Sequence, residues 1–162
     1  MVASNKAREE HAYAVMSVAQ ALGTHCTDLD VPAQPSVLRL ANVQHLATDV
    51  NAMLVDETSV IAIAAALHPT AAVCGTPTER ALHYIRTHEG LDRGRYAGPV
   101  GWFDANGDGE FGIALRCGQL NEDNTSIELL AGCGIVAGSD PESEFAESES
   151  KLAAMRWALG GS

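Results

Sequence analysis

The run "RYAGPVGWFDANGDGEFGIALRC", residues 95–117, limits the fold more than any other stretch of this chain. Its centre holds Asn106-Gly107 and Asp108-Gly109, pairs that accept the positive φ of a tight chain reversal. Apolar residues flank the pairs on both sides, so strands are predicted at 95–103 and 110–117, folding back on each other. The alternating Asp104, Asn106 and Asp108 also resemble a calcium loop. Such a loop requires a bidentate glutamate at its twelfth position, and counting from Asp104 that residue is Leu115. It also requires an entering helix, whereas "RYAGPVGWF" reads as strand. The stretch is a turn.

The remaining pattern supplies helices on either side of these strands. Residues 126–136 predict a third strand and, with the first two, an antiparallel meander. Residues 4–22 predict a helix capped by Ser4 and ended by Gly23, with Tyr13, Val15, Met16, Ala19 and Leu22 on its apolar side. Two prolines make 28–36 a loop, and 37–45 reads as strand. The apolar run 57–67 reads as a buried helix or a buried strand, and its alanines favour helix. Thr76 and Glu79 form a capping box with Pro77 at the first helical position, predicting a helix over 76–89 that Gly90 ends. A last helix starts after "AGSDPE", with Ser139 and Glu142 as another box, and runs to about Leu159. The expected class is α+β, a mainly antiparallel sheet flanked by helices, with residues 1–162 forming one domain or part of one.

Composition narrows the function classes. The chain has 162 residues, 46% hydrophobic and 19% charged, which is ordinary for a globular domain with a core. Its formal net charge of −11 lacks the basic stripe that binds nucleic acid. No run of about 18 apolar residues exists to span a membrane. "MVASNKAREEH" carries no apolar leader, so a cytoplasmic location is expected. Cys26, Cys74, Cys117 and Cys133 are far apart and read as reduced thiols. An anionic substrate would be repelled at long range, and would need clustered Lys or Arg, or a metal held by carboxylates.

The last helix carries the most suggestive spacing. Glu144, Glu147 and Lys151 fall at i, i+3 and i+7, within roughly a 60° arc, beside the apolar stripe of Phe145, Leu152, Met155 and Leu159. The spacing fits a partly desolvated polar site, but on spacing alone a solvated face with a modest ion pair is the commoner reading. Glu142 and Glu149 lie elsewhere on the helix and read as solvated. Gly132 and Gly134 interrupt an apolar strand, as glycines do at a close backbone or ligand approach. Their amides could cradle a carboxylate, or the glycines could serve packing alone. Arg116 in "IALRC" reads as a cation within an apolar strand that needs a partner, either a bound anion or a core acid. His45 and His68 sit beside apolar residues and read as structural, and Glu10 reads as a surface acid. Pro69 makes His68 a helix stop. The chain shows no nucleophilic triad, phosphate loop or zinc signature.

Taken in order, "SNKAREEH", "VQHLAT", "HPTAAVCG", "RYAGPVGWFDANGDGE", "ALRC", "LAGCGIVAGSDPESE" and "ESESKL" resemble the C-terminal half of the chorismate-utilising enzymes. That family includes isochorismate synthase, salicylate synthase and the large subunits of anthranilate and aminodeoxychorismate synthases. "HPTxAVCG" with "VGWxDxxGDGE" looks most like isochorismate synthase. Ala71 stands where those enzymes often carry proline, and Cys133 where alanine is usual.

The resemblance implies a magnesium-dependent interconversion of chorismate and isochorismate, in which water attacks C2 as the C4 hydroxyl leaves. By matched position it implies Glu10, Glu144 and Glu147 as carboxylates for Mg2+. It further implies Arg116, Lys151 and the amides near Gly132 and Gly134 on the substrate carboxylates, and His45 and Ala72 along the ring pocket. The family's base and acid lie upstream of the "SNK" segment. No catalytic residue is therefore expected within these 162 residues, and the isolated chain should be weakly active or inactive. A half-fold of this family should expose apolar surface and self-associate, or pair with the N-terminal half. The alternatives are a non-catalytic magnesium and carboxylate-binding fragment or subunit, and a salicylate synthase-like member. The parent pathway would serve siderophore or menaquinone synthesis.

Overall fold

The computed structural model describes residues 5–39 and 44–160; Ser4, the expected first cap, lies outside them. The backbone gathers into two units, Met1–Glu89 with Gly101–Phe111, and Gly90–Val100 with Gly112–Ser162. Along the chain run α1 (Asn5–Leu22), β1 (Cys26–Asp30), β2 (Ser36–Arg39), β3 (Gln44–Ala47), β4 (Asn51–Leu54), α2 (Val60–Leu67) and α3 (Thr78–His88). They continue as β5 (Pro99–Phe103), β6 (Gly109–Ile113), β7 (Gly118–Leu120), β8 (Ile127–Leu129) and α4 (Pro141–Ala158). The class is α+β, as expected from the pattern. Among the described residues the strands form four two-stranded sheets, β1–β4, β2–β3, β5–β6 and β7–β8.

In the first unit α1 packs on α2, β1 and β3. Strand β1 runs antiparallel to β4, and the register shifts between Thr27 and Asp30. Asp28 sits there with φ 51°, the extra residue of a bulge that aspartate tolerates in left-handed backbone. The segment read as one strand over 37–45 is instead a pair: β2 faces β3 from Ser36 opposite Ala47 to Arg39 opposite Gln44, while residues 40–43 lie outside the described ones. Helix α2 begins at Ser59, whose side chain accepts from the Ala62 amide. It stops at His68 in extended backbone, the conformation imposed on a residue before proline.

The expected capping box at α3 does not form. Pro77 takes the N-cap position in extended backbone, with no side-chain hydrogen bond at that cap, so the helix starts two residues later than Thr76. The turn between β5 and β6 does form as predicted. The Asp104 carboxylate accepts the amides of Asn106 at 2.8 Å and Asp108 at 3.1 Å, and Gly107 supplies the positive φ of 89°. These bonds spend the aspartate on its own loop. Among the described residues the expected meander does not form, because β7 pairs with β8 and not with β6. Beyond Leu129 the backbone leaves the sheet, so Gly132 and Gly134 lie outside any strand.

Helix α4 begins one residue later than the Ser139 cap. Asp140 accepts from the Ser143 amide at 2.9 Å and hydroxyl at 2.8 Å, and Pro141 occupies the first helical position, where its missing N–H costs nothing. Those bonds hold the Asp140 carboxyl below its ordinary pKa. A depressed folded-state pKa adds stability that is present above the unfolded value and lost as pH falls through the folded one. Replacing Asp140 with alanine should therefore lower the melting temperature at neutral pH. The wild-type and variant melting temperatures should converge once the pH drops below the folded-state value, as a calorimetric pH series can test.

The apolar stripe predicted for α4 is not covered. Phe145 is 69% exposed and Leu159 is also exposed, while Leu152 and Met155 are half-buried. Among the described residues Ala97 is the one buried apolar side chain, and it sits in a turn with φ 63°.

Candidate functional site

The charged arc of α4 is buried more deeply than its apolar stripe. Glu144 is only 6% exposed, and Glu147 and Lys151 follow one and two turns later along the same arc. Lys151 Nζ lies 2.5 Å from Glu147 Oε1 and donates to the Gly132 carbonyl at 2.9 Å. One cation thus ties the helix to the irregular segment that contains both glycines. The spacing is therefore neither a wholly solvated face nor an isolated ion pair.

Three neighbours complete the cluster. Arg116 leaves the strand it was expected to occupy. It sits in a turn with φ 53°, and its exposed guanidinium donates to the Lys151 carbonyl at 3.2 Å. An exposed guanidinium keeps its water and needs no buried acid, so the core-acid alternative does not apply. Cys133 Sγ lies 3.5 Å from the Glu144 carbonyl. Burial raises the thiol above its ordinary pKa, and contact with Glu144 raises it further, so at neutral pH Cys133 is a neutral lining group. Tyr96 was missed by sequence reasoning. Its hydroxyl lies 3.7 Å from where a Cβ on Gly132 would stand, so the absence of a side chain at Gly132 leaves room beside a phenol. Only an aromatic directly before a turn hinted at it.

The first unit holds the other predicted residues. Glu10, on α1, pairs with Lys6 at 2.8 Å. The same Oε1 is buried and accepts no properly oriented hydrogen bond, so the contact is an ion pair alone. His45 is exposed on β3, opposite Leu38 of β2. Ala72 is exposed in the turn after α2, beside Ala71, whose amide donates to Ser17 Oγ at 3.1 Å. His11, also missed from sequence, places Nε2 2.8 Å from Thr48 Oγ1, and burial lowers its pKa.

Among the described residues no three His, Cys, Asp or Glu side chains form a ready metal-holding group. The donor chemistry nevertheless fits a hard cation. Carboxylate oxygens are what magnesium takes, usually one or two from protein with water for the rest. In the second unit the Glu144 carboxylate is largely withdrawn from bulk solvent; separately, in the first unit, Glu10 offers a buried oxygen without a hydrogen bond.

Acids and cations thus gather around the glycine segment beside α4, on an α+β scaffold of antiparallel pairs. The family model described as chorismate binding enzyme matches residues 1–160. The chain belongs to the chorismate binding enzymes. It is 46% identical over 156 residues to the salicylate biosynthesis isochorismate synthase of Pseudomonas aeruginosa, covering 96% of this chain and 32% of that protein. It is 42% identical over 161 residues to isochorismate synthase DhbC of Bacillus subtilis, covering 99% of this chain and 40% of that one. The solved DhbC of Bacillus anthracis superposes with a TM-score of 0.93 at 44% identity, over 99% of this chain and 43% of its own. The chain therefore spans well under half the length of these relatives.

Proposed function

We propose that this chain carries the carboxylate-binding and metal-binding part of an isochorismate synthase, acting on chorismate and isochorismate. The observation that carries the reading is the Lys151 bridge between Glu147 and the Gly132 carbonyl, with the Arg116 guanidinium donating to the Lys151 carbonyl. A doubly negative ring acid meets a chain of net charge −11, so affinity must come from local cations. Lys151 and Arg116 supply two.

In this reading Glu10, Glu144 and Glu147 are the carboxylates for magnesium; Glu10 enters by resemblance, and the two α4 residues by resemblance and by their shared arc. The ion when bound supplies positive charge for a ring carboxylate. Lys151 and Arg116 orient the substrate carboxylates, and the bare Gly132 lets the substrate approach the backbone beside Tyr96. His45 and Ala72 are assigned to the ring pocket by resemblance. No residue here is assigned to proton transfer. The resemblance puts the base and acid in the part of the family fold that this chain does not span, and each is worth about 10²- to 10⁴-fold in rate.

Titration calorimetry of the chain with chorismate, with and without magnesium, tests the reading. Binding that strengthens with magnesium is expected, together with isochorismate formation at least about 10²-fold slower than in a full-length relative. No chorismate binding under either condition would refute the binding assignment. Turnover equal to a full-length relative would refute the absence of the acid and base.

A further inference from the structure

Between Thr70 and Cys74 the chain makes one tight turn, in which the Thr70 carbonyl accepts the Val73 amide at 3.2 Å and the Cys74 amide at 3.0 Å. Thr70 is thus placed like a helix N-cap, and Ala71 like the first residue after it. An amide at that position has no acceptor inside its own turn, which is why proline, with no N–H, suits it. Ala71 does carry an N–H and is half-buried, so the donor needs an oxygen from elsewhere or bears a desolvation cost. It donates to Ser17 Oγ at 3.1 Å, from a helix 54 residues away in sequence. The Ser17 hydroxyl has its own proton on the Ala14 carbonyl at 2.8 Å, so it meets Ala71 purely as an acceptor.

We propose that Ser17 is a positioning residue, whose hydroxyl pins the turn carrying Ala72 to α1. The inference rests on the assignment of Ala72 to the ring pocket. Ala72 directly follows the residue that Ser17 holds, so the pocket side chain can move little while that bond stands. The place of Ser17 on its helix gives the bond a second consequence. Ser17 follows Glu10 by seven residues on α1, which is two helical turns along and within about 20° around the axis. One stripe of the helix therefore carries both the carboxylate proposed for magnesium and the anchor of the pocket turn. A turn released from Ser17 would let Ala72 drift relative to Glu10, and a ligand needing both would bind only the pinned fraction of the chain.

Wild type, Ser17→Ala, Ala71→Pro and the double variant test this by residue-resolved amide exchange without ligand, and by titration calorimetry with chorismate in saturating magnesium. Alanine is a better helix former than serine, so Ser17→Ala does not weaken α1 through propensity. It leaves the Ala71 donor unpaired, and the Val73 and Cys74 amides should exchange about 5- to 150-fold faster. Chorismate should bind at least about threefold more weakly, because less of the chain holds the competent turn. Ala71→Pro removes the donor together with the bond, so in that background Ser17→Ala should change either readout by less than about twofold. Exchange in Ser17→Ala equal to wild type overturns the anchor. An equal loss from Ser17→Ala in both backgrounds overturns the Ala71 amide as its target. Faster exchange with unchanged chorismate affinity overturns the positioning role. If the wild type binds no chorismate, the functional reading fails, and the exchange cycle alone decides the anchor.

Discussion

Replacing Lys151 with methionine should weaken chorismate binding by about 10- to 150-fold, the range expected for losing a hydrogen bond to a charged group worth about 1.5–3 kcal/mol. Methionine keeps much of the stem and removes the ammonium, so the change reports the charge. Two further consequences separate this residue from a surface lysine. Its Nζ holds the Gly132 carbonyl at 2.9 Å, so amides at 130–136 should exchange faster in the ligand-free variant. Lys151→Arg should recover only part of the affinity, because a planar fork does not replace a point charge in that position. A calorimetric Kd for Lys151→Met equal to wild type would remove this residue from the binding assignment.

Local rules made half of this molecule readable. Asn106-Gly107-Asp108-Gly109 declared a reversal, and the loop closes with Asp104 bonded to its own amides. The arc of Glu144, Glu147 and Lys151 was readable for the same reason, since helical periodicity alone sets it. Caps were readable to within a residue or two. Asp140 displaces Ser139 because Pro141 sits best at the first helical position, and Pro77 is the cap itself at α3.

What failed were relationships between segments. β1 falls partly in an expected loop, and β4 was unread, because strands of four or five residues are too short to show alternation. The meander failed because nothing in 110–117 or 126–136 says which neighbour each strand takes. Lys151 reaching Gly132, Arg116 reaching the Lys151 carbonyl and Tyr96 standing beside Gly132 are tertiary contacts with no sequence signature. The stripe of Phe145 and Leu159 was readable as apolar, yet apolarity alone cannot say whether the fold covers it.

Glu144→Gln should leave the fold intact and lower magnesium affinity at least about tenfold, since even an outer partner of a metal site is worth 10- to 100-fold. The buried position makes this variant discriminating. A carboxylate that is only 6% exposed carries a desolvation cost unless charge or hydrogen bonds offset it, and the start of α4 supplies part of that offset through its dipole. If Glu144 were merely structural, the neutral amide would leave metal affinity unchanged. If it serves magnesium, the amide loses the ion's counter-charge and affinity falls. Glu147→Ala should give the same loss of metal affinity and, in addition, release Lys151 from its 2.5 Å ion pair. Magnesium titration of both variants, beside their melting curves in chelator, separates the roles. Unchanged magnesium affinity in both would leave α4 an anion-binding helix with no metal.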